Sequence, residues 1–253
     1  MSIDLNCDMG ESFGAYKLGL DEEIIKYITS ANIACGWHAG DPMVMDKTVK
    51  MAKENGVGVG AHPGYPDLLG FGRRNMDCLP SEIRNYVIYQ VGALRAFCDV
   101  HGIRLRHVKP HGNLYNTAVE DETVARAVAE AIASVDPELI YVALAGAKTE
   151  HISRIGQEMG LTVVFEAFAD RAYTPEGTLV SRRQPGAVIK EPEKVAARAL
   201  KMAKEGKVMA IDGTEIPLNA QTLCVHGDTP GSVNLVKEIR GLLEKEGIQV
   251  KPM

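Results

Sequence analysis

Short β-rich runs alternate with amphipathic helical stretches almost from end to end of the chain. Strand-like segments fall at residues 3–7, 30–34, 57–61, 103–109, 139–144, 161–166 and 221–225. Between most of them lie helices with readable ends. Asp41 followed by Pro42 is an N-cap with proline at the first helical position, and Asn55-Gly56 is a stop signal. Residues 80–100 read as a long helix closed near Gly102. Residues 122–134 form an Ala/Val-rich helix ending before Pro137, and 191–205 a helix ended by Gly206. Residues 228–246 open with a cap and Pro230 and end at Gly247. Segments 208–211 and 215–218 flank Asp212-Gly213-Thr214 as a β-hairpin inserted before the last strand. This alternation predicts a parallel sheet covered by helices, closed or nearly closed into a barrel, with a doubly wound open sheet as the alternative. No linker, repeat or low-complexity tract interrupts it, so residues 1–253 read as one domain.

Composition narrows the class. A chain of 253 residues with 45% apolar content can bury a sizeable core. The net charge of -5, with no cluster of Lys or Arg, argues against a nucleic-acid partner and leaves anionic small molecules open. The first residues lack the basic start and apolar run of a signal peptide, and no apolar stretch reaches the ~20 residues needed to cross a bilayer. Five cysteines without a C-x-x-C pair support neither a disulfide framework nor a structural zinc site. The expectation is a soluble cytoplasmic protein without a membrane association.

The informative signal is where ionisable residues sit relative to the strands. Asn6 and Asp8 end the first strand; Trp37, His38 and Asp41 follow the second; His62 ends the third. His107, Lys109 and His111 end the fourth, Glu166 ends the sixth with Asp170 and Arg171 after it, and His226 and Asp228 follow the last. In parallel α/β folds the carboxyl ends of the strands build the site. Parity sharpens this: Asp4, Asn6 and Asp8 share one face of their strand, and Gly58, Gly60 and His62 share a face of theirs. Those glycines predict room for a ligand beside His62. His107, Lys109 and His111 share a face if the fourth strand runs that far. Buried without partners, such groups would be costly.

Each residue also has a plainer reading. Asp8 could cap a turn, His38 could order its Gly-flanked loop, and His101 and His151 read as ordinary helix residues. Cys7, Cys35 and Cys224 read as small buried apolar residues rather than nucleophiles. Among Arg73, Arg74, Arg171, Arg182 and Arg183, all in long loops, Arg171 and Arg73 are the first choices for a bidentate carboxylate clamp. There is no G-x-x-x-x-G-K-[ST], G-x-S-x-G or H-E-x-x-H motif. Any ATP site therefore lacks a recognisable phosphate loop.

Six segments, in order, carry a family resemblance: Leu5-Asn-Cys-Asp-Met-Gly-Glu11, Ala31-Asn-Ile-Ala-Cys-Gly-Trp-His-Ala-Gly-Asp-Pro42, Gly60-Ala-His-Pro-Gly-Tyr-Pro-Asp67, Val108-Lys-Pro-His-Gly-Asn-Leu-Tyr115, Glu166-Ala-Phe-Ala-Asp-Arg-Ala-Tyr173 and Cys224-Val-His-Gly-Asp228. Together they resemble the LamB/YcsF family over essentially the whole chain. The resemblance implies a seven-stranded β/α barrel of the glycoside hydrolase/deacetylase type. It implies ATP-dependent cleavage of 5-oxoproline (pyroglutamate) to L-glutamate, with ATP hydrolysed to ADP and phosphate. It also implies a complex with two further subunits, B and C, which would supply much of the ATP site.

On that reading Asp8 or His62 is the general base, Lys109 stabilises negative charge on the carbonyl or phosphoryl oxygen, and His111 protonates the leaving ring nitrogen. Asn6, His38, Asp41, Arg73, Asn113, Asp170 and Arg171 make up the substrate-binding set. A competing reading is a metal-dependent, deacetylase-like hydrolase of carbohydrate, with Asp8, His38, His62 and His111 on a divalent ion. A third is a non-catalytic subunit that holds the lactam for its partners.

Overall fold

The computed structural model describes residues 1–146, 149–225 and 231–253. Seven parallel strands close on themselves: β1 (Ser2–Met9), β2 (Ser30–Ala34), β3 (Gly58–His62), β4 (Leu105–Val108), β5 (Ile140–Leu144), β6 (Val163–Phe168) and β9 (Thr222–Val225). Closure is made by β9, which pairs with β6 through Glu166↔Thr222 and with β1 through Asp4↔Thr222. The open-sheet alternative is thereby ruled out. A two-residue strand, β10 (Gln249–Val250), adds to the start of β1 outside the ring. The predicted hairpin is present as β7 (Lys207–Met209) and β8 (Glu215–Pro217), antiparallel and separate from the barrel.

Helices cover the outside. They are α1 (Asp21–Ile24), α2 (Pro42–Glu54), α3 (Pro80–His101), α4 (Gly112–Glu120), α5 (Glu122–Val135), α6 (Glu150–Glu158), α7 (Pro192–Glu205) and α8 (Ser232–Lys245). Their ends follow local chemistry. Asp41 Oδ1 accepts from the amides of Met43 and Val44, each at 2.9 Å, which caps α2 ahead of Pro42. Gly102 and Gly206 close α3 and α7 in the left-handed conformation, at φ 63° and 61°. The apolar face of α5, including Val124, Val128 and Ile132, packs against α3.

The outward side chains of the strands, such as Leu5, Cys7, Ile33, Val59 and Val108, meet these helices in one continuous core. Burying a side chain of this size contributes about 1.5–3 kcal/mol, so the helix layer carries the hydrophobic stability. The barrel interior is polar along β1 to β4, while β5 and β6 turn Val142, Leu144, Val164 and Phe168 inward beside Glu166. Sequence periodicity missed α1, α4 and α6. The first has a single turn, α4 begins at a glycine, and α6 is interrupted by Gly156. The expected cap of the last helix at Asp228, with Pro230, lies outside the described residues, as does His226. No helix among the described residues is long and apolar enough to cross a membrane.

Candidate active site

The parity reading of β1 holds: Asp4, Asn6 and Asp8 all point into the barrel. At its closed end Asp4 Oδ1 accepts from Thr29 and Ser30, both at 2.7 Å, while Oδ2 accepts from Thr222. One level up, Asn6 donates to Thr222 at 2.6 Å, and Asn32 donates to Asn6 at 2.7 Å and to Asp8 Oδ1 at 2.8 Å. His107 Nε2 donates to Asn32 Oδ1 at 2.7 Å. The glycines of β3 do not open a ligand cavity as expected. A Cβ on Gly60 would stand 2.0 Å from His107 Nε2, so the missing side chain makes room for that buried ring.

At the carboxyl ends of the strands the network meets Lys109. Strand β4 is shorter than predicted, but the Lys109 amide still donates to Ala61 O and that of His111 to Pro63 O, so the extended run continues beyond it. The Lys109 ammonium lies 2.8 Å from Asp8 Oδ1, 2.8 Å from Glu166 Oε1 and 3.2 Å from Cys224 Sγ. Tyr115 donates to the other oxygen of Glu166 at 3.0 Å. Burial alone would lower the Lys109 pKa, but Asp8, Cys224 and Glu166 outweigh it and hold the ammonium well above the usual range. Burial would likewise raise Asp8. A positive charge at His62, when that ring is protonated, and the Lys109 ammonium prevail and hold its carboxyl well below the carboxylate range. Two carboxylates thus clasp one ammonium at the floor of the mouth.

Beside Asp8 stands a cluster of histidines. His62 Nε2 lies 3.3 Å from Asp8 Oδ2 and 3.0 Å from His111 Nδ1, and His62 Nδ1 donates to the Lys109 carbonyl at 2.7 Å. The far nitrogen of His111 donates to Phe71 O at 2.8 Å. His38 stacks on His111 with ring centroids 3.6 Å apart. Phe71 adopts φ 54°, a left-handed conformation that costs a bulky residue energy. That conformation carries the carbonyl on His111, and the Phe71 ring packs edge-on against His38 and His111. Burial and the neighbouring histidines push the pKa of both His38 and His111 well down, so both rings are neutral.

Above these groups opens a cavity of about 440 Å³. Asp8, His62, Lys109, His111 and Tyr115 form its depth, and Arg73, Asn75, Asn113 and Arg182 its rim. Arg73 lies over the Phe71 ring at 4.9 Å. The polar depth and cationic rim suit a small anionic molecule with a polar reacting group.

Residues 3–253 match the LamB/YcsF family model. The chain belongs to the LamB/YcsF family. It is 58% identical over 253 residues to a Pyrococcus horikoshii protein named as the A subunit of 5-oxoprolinase, covering 100% of this chain and 98% of the relative. It superposes with a TM-score of 0.94 and 47% identity on a Thermus thermophilus structure described as a lactam utilization protein, covering both chains fully. A putative cellobiose-phosphate cleavage protein from Enterococcus faecalis V583 shares 12% identity at a TM-score of 0.56 over 98% of this chain and 96% of its own, a likeness of fold alone.

The LamB/YcsF motifs converge here, but not every residue singled out from them does. Asp8, His62, Lys109, His111, Arg73 and Asn113 border the cavity. Asn6 does not: it is fully buried beneath the site, with both ends of its amide hydrogen-bonded within the barrel. Asp41 caps α2 and also accepts from the Gly14 amide, so it is a structural group. Arg171 also lines the cavity, with two of its N–H donors bonded to the carbonyls of Val180 and Ala187, which tie its own loop together. Asp170 is buried beside it and does not line the cavity. His38 is buried in the histidine cluster rather than facing the cavity. Four participants had no assigned role: Glu11, Tyr115, Glu166 and Phe71. All but Phe71 lie inside the quoted motifs, yet no spacing rule marks them.

Proposed function

We propose that this chain is the lactam-binding and lactam-opening component of an ATP-dependent 5-oxoprolinase, converting 5-oxoproline to L-glutamate together with partner subunits B and C. The observation that carries the substrate is the end-to-end identity of 58% to a relative named as the A subunit of 5-oxoprolinase. The observation that supports the location is the clasped Lys109 beneath a cavity of suitable size and charge.

The substrate is a five-membered lactam bearing a carboxylate. Arg73 and Arg182, both at the rim of the cavity, hold that carboxylate. The lactam carbonyl then faces the Lys109 ammonium, which stabilises negative charge as it develops on oxygen, while Tyr115 holds Glu166 in place behind it. Asp8 is ionised and borders the cavity, where it takes a proton from the attacking water; its lowered pKa makes it a weak base, so the step depends on activation of the carbonyl carbon. Water oxygen bonds to the carbonyl carbon, the C–N bond breaks, and the proton held by Asp8 passes to the ring nitrogen as it leaves. That relay replaces His111 as the acid, because His111 Nε2–H is committed to Phe71 O and its other nitrogen faces His62.

Amides react slowly with water, and transfer of the γ-phosphoryl group of ATP to the carbonyl oxygen, with release of ADP, makes the carbon a better electrophile; C–N cleavage after water addition then leaves a glutamyl acyl phosphate, which a second water hydrolyses to glutamate and phosphate. Without a phosphate loop in this sequence, the partners contribute much of the ATP site. Five free cysteines fit action in a reducing cytoplasm. The test is glutamate release from 5-oxoproline with ATP, by the chain alone and with its partner subunits. Release confined to the complete mixture, with matching ADP, is the expected result. A complete mixture that assembles yet releases no glutamate contradicts the reading.

A further inference from the structure

Four donor groups that the proposed lactam chemistry does not use meet at one point beside Asp8. One carboxylate oxygen of Glu11 and one ring nitrogen each of His38, His62 and His111 all lie within 4.8 Å of one another. The three histidines are buried; Glu11 is half-buried.

The tautomers can be worked out from the outer contacts. His62 Nδ1 lies 2.7 Å from the Lys109 carbonyl, so it carries a hydrogen, and the neutral ring has its lone pair on Nε2. His111 Nε2 lies 2.8 Å from the Phe71 carbonyl, so it carries the hydrogen and leaves a lone pair on Nδ1. Those two lone pairs face each other at 3.0 Å, and Asp8 Oδ2 stands 3.3 Å from the first. Three electron-rich atoms around one point repel unless a cation joins them. Imidazoles fixed from behind by backbone carbonyls are the usual arrangement behind a bound metal.

His38 supplies an independent observation. It is 0% exposed, and neither ring nitrogen has a hydrogen-bond partner. A buried imidazole left so costs on the order of 1–3 kcal/mol. A proton on His62 would relieve the facing lone pairs, but it would leave His38 unpartnered. A metal ion satisfies both. His38 Nε2 is 4.0 Å and His111 Nδ1 3.9 Å from Glu11 Oε1, spacings that contract modestly toward a centre about 2.0–2.2 Å from each ligand. The stacked rings of His38 and His111 must tilt apart for both to point at that centre.

We propose that Glu11, His38, His62 and His111 bind one divalent transition-metal ion. A set of three imidazoles and one carboxylate selects Zn²⁺ or a neighbouring first-row ion over Mg²⁺ or Ca²⁺, which prefer oxygen ligands. Asp8 stands outside this set, because Lys109 and Asn32 hold its Oδ1 and it is not one of the four mutually close ligand groups; its Oδ2 stays beside the ion as a neighbouring negative charge. The inference does not rest on the substrate assignment, since its test reads metal rather than turnover.

Full-length chain, with any affinity tag removed, is freed of metal by a chelator, dialysed, and titrated with Zn²⁺ and with Co²⁺. Metal content after gel filtration, the visible d–d absorption of Co²⁺ and the shift in Tm are measured. The expected result is roughly one ion per chain with the spectrum of a nitrogen-rich Co²⁺ site. His38→Gln and Glu11→Gln should each weaken affinity by about tenfold or more. His107→Gln, which alters a buried histidine outside the cluster, should retain the ion. Circular dichroism confirms that each variant is folded, and Glu11→Gln provides the arm least exposed to misfolding. Folded wild-type chain that retains no stoichiometric metal and gives no Co²⁺ spectrum overturns the proposal. Undiminished binding by both His38→Gln and Glu11→Gln overturns it as well.

Discussion

The two ends of the barrel interior use similar polar residues to opposite effect. At the closed end, the oxygens of Asp4 receive hydrogen bonds from Thr29, Ser30 and Thr222, and Asn6 and Asn32 continue the chain of donors and acceptors. At the mouth, His38 lacks any hydrogen-bond partner, His62 Nε2 and His111 Nδ1 face each other at 3.0 Å, and Phe71 is held at a positive φ. Burial does not separate the two regions, because Asp4 and His38 are both inaccessible. Satisfaction does. A buried polar group whose bonds are complete specifies the fold. One left incomplete is a cost that stability alone would have removed, so the mouth is where the chain trades stability for chemistry.

The sharpest way to break this comparison is at the closed end. Asp4→Ala removes the shared acceptor of three buried hydroxyls, and we expect a loss of about 3–5 kcal/mol in chemical denaturation. Turnover per folded molecule in the assembled enzyme should stay within about threefold of wild type. A large fall in turnover of folded protein would erase the distinction between the two ends. Next is Gly60→Ala, whose Cβ would collide with the His107 ring. It should cost about 1–3 kcal/mol, and an unchanged Tm would mean that the ring does not fill that space.

His107 itself gives a pH prediction. Burial holds its pKa down to about 3, against an ordinary value of 6.5. Between those values the unfolded chain binds the extra proton and the folded chain does not. Stability from this group is therefore present above about pH 6.5 and drains as the pH falls toward 3, by at most about 1.4 kcal/mol per unit. His107→Gln should flatten the acid limb of a Tm-against-pH curve; an unaltered limb would refute the neutral buried state. The smallest effect is expected from Asp41→Ala, about 1 kcal/mol for the lost cap of α2 with no change in KM for 5-oxoproline. A raised KM would return Asp41 to the substrate-binding set.

Much of this organisation was legible in the sequence. Strand–helix alternation carried the barrel, and parity put Asp4, Asn6 and Asp8 on one interior face. Strand-end position alone overreached, because a polar residue after a strand caps the next helix as readily as it meets a ligand. Asp41 does the former. Parity could not tell Asn6 from Asp8, since depth within a barrel depends on how neighbouring strands are staggered. Gly60 was read as space for a ligand when it is space for His107, a partner 47 residues away that no local pattern reveals. Glu11 escaped because it lies beyond the end of its strand, where periodicity has lapsed. Arg171 drew notice for its charge, and it lines the cavity with two of its donors bonded to loop carbonyls.

The most direct test of the account is the turnover of Asp8→Asn in the complete enzyme, read beside its Tm. Asparagine keeps the shape of Asp8 and loses its ability to take a proton. We expect glutamate release to fall by about 10²–10⁴-fold, while the chain remains folded with a Tm lowered by the loss of the Lys109 ion pair. Near-wild-type turnover would contradict the assignment of lactam opening to this mouth.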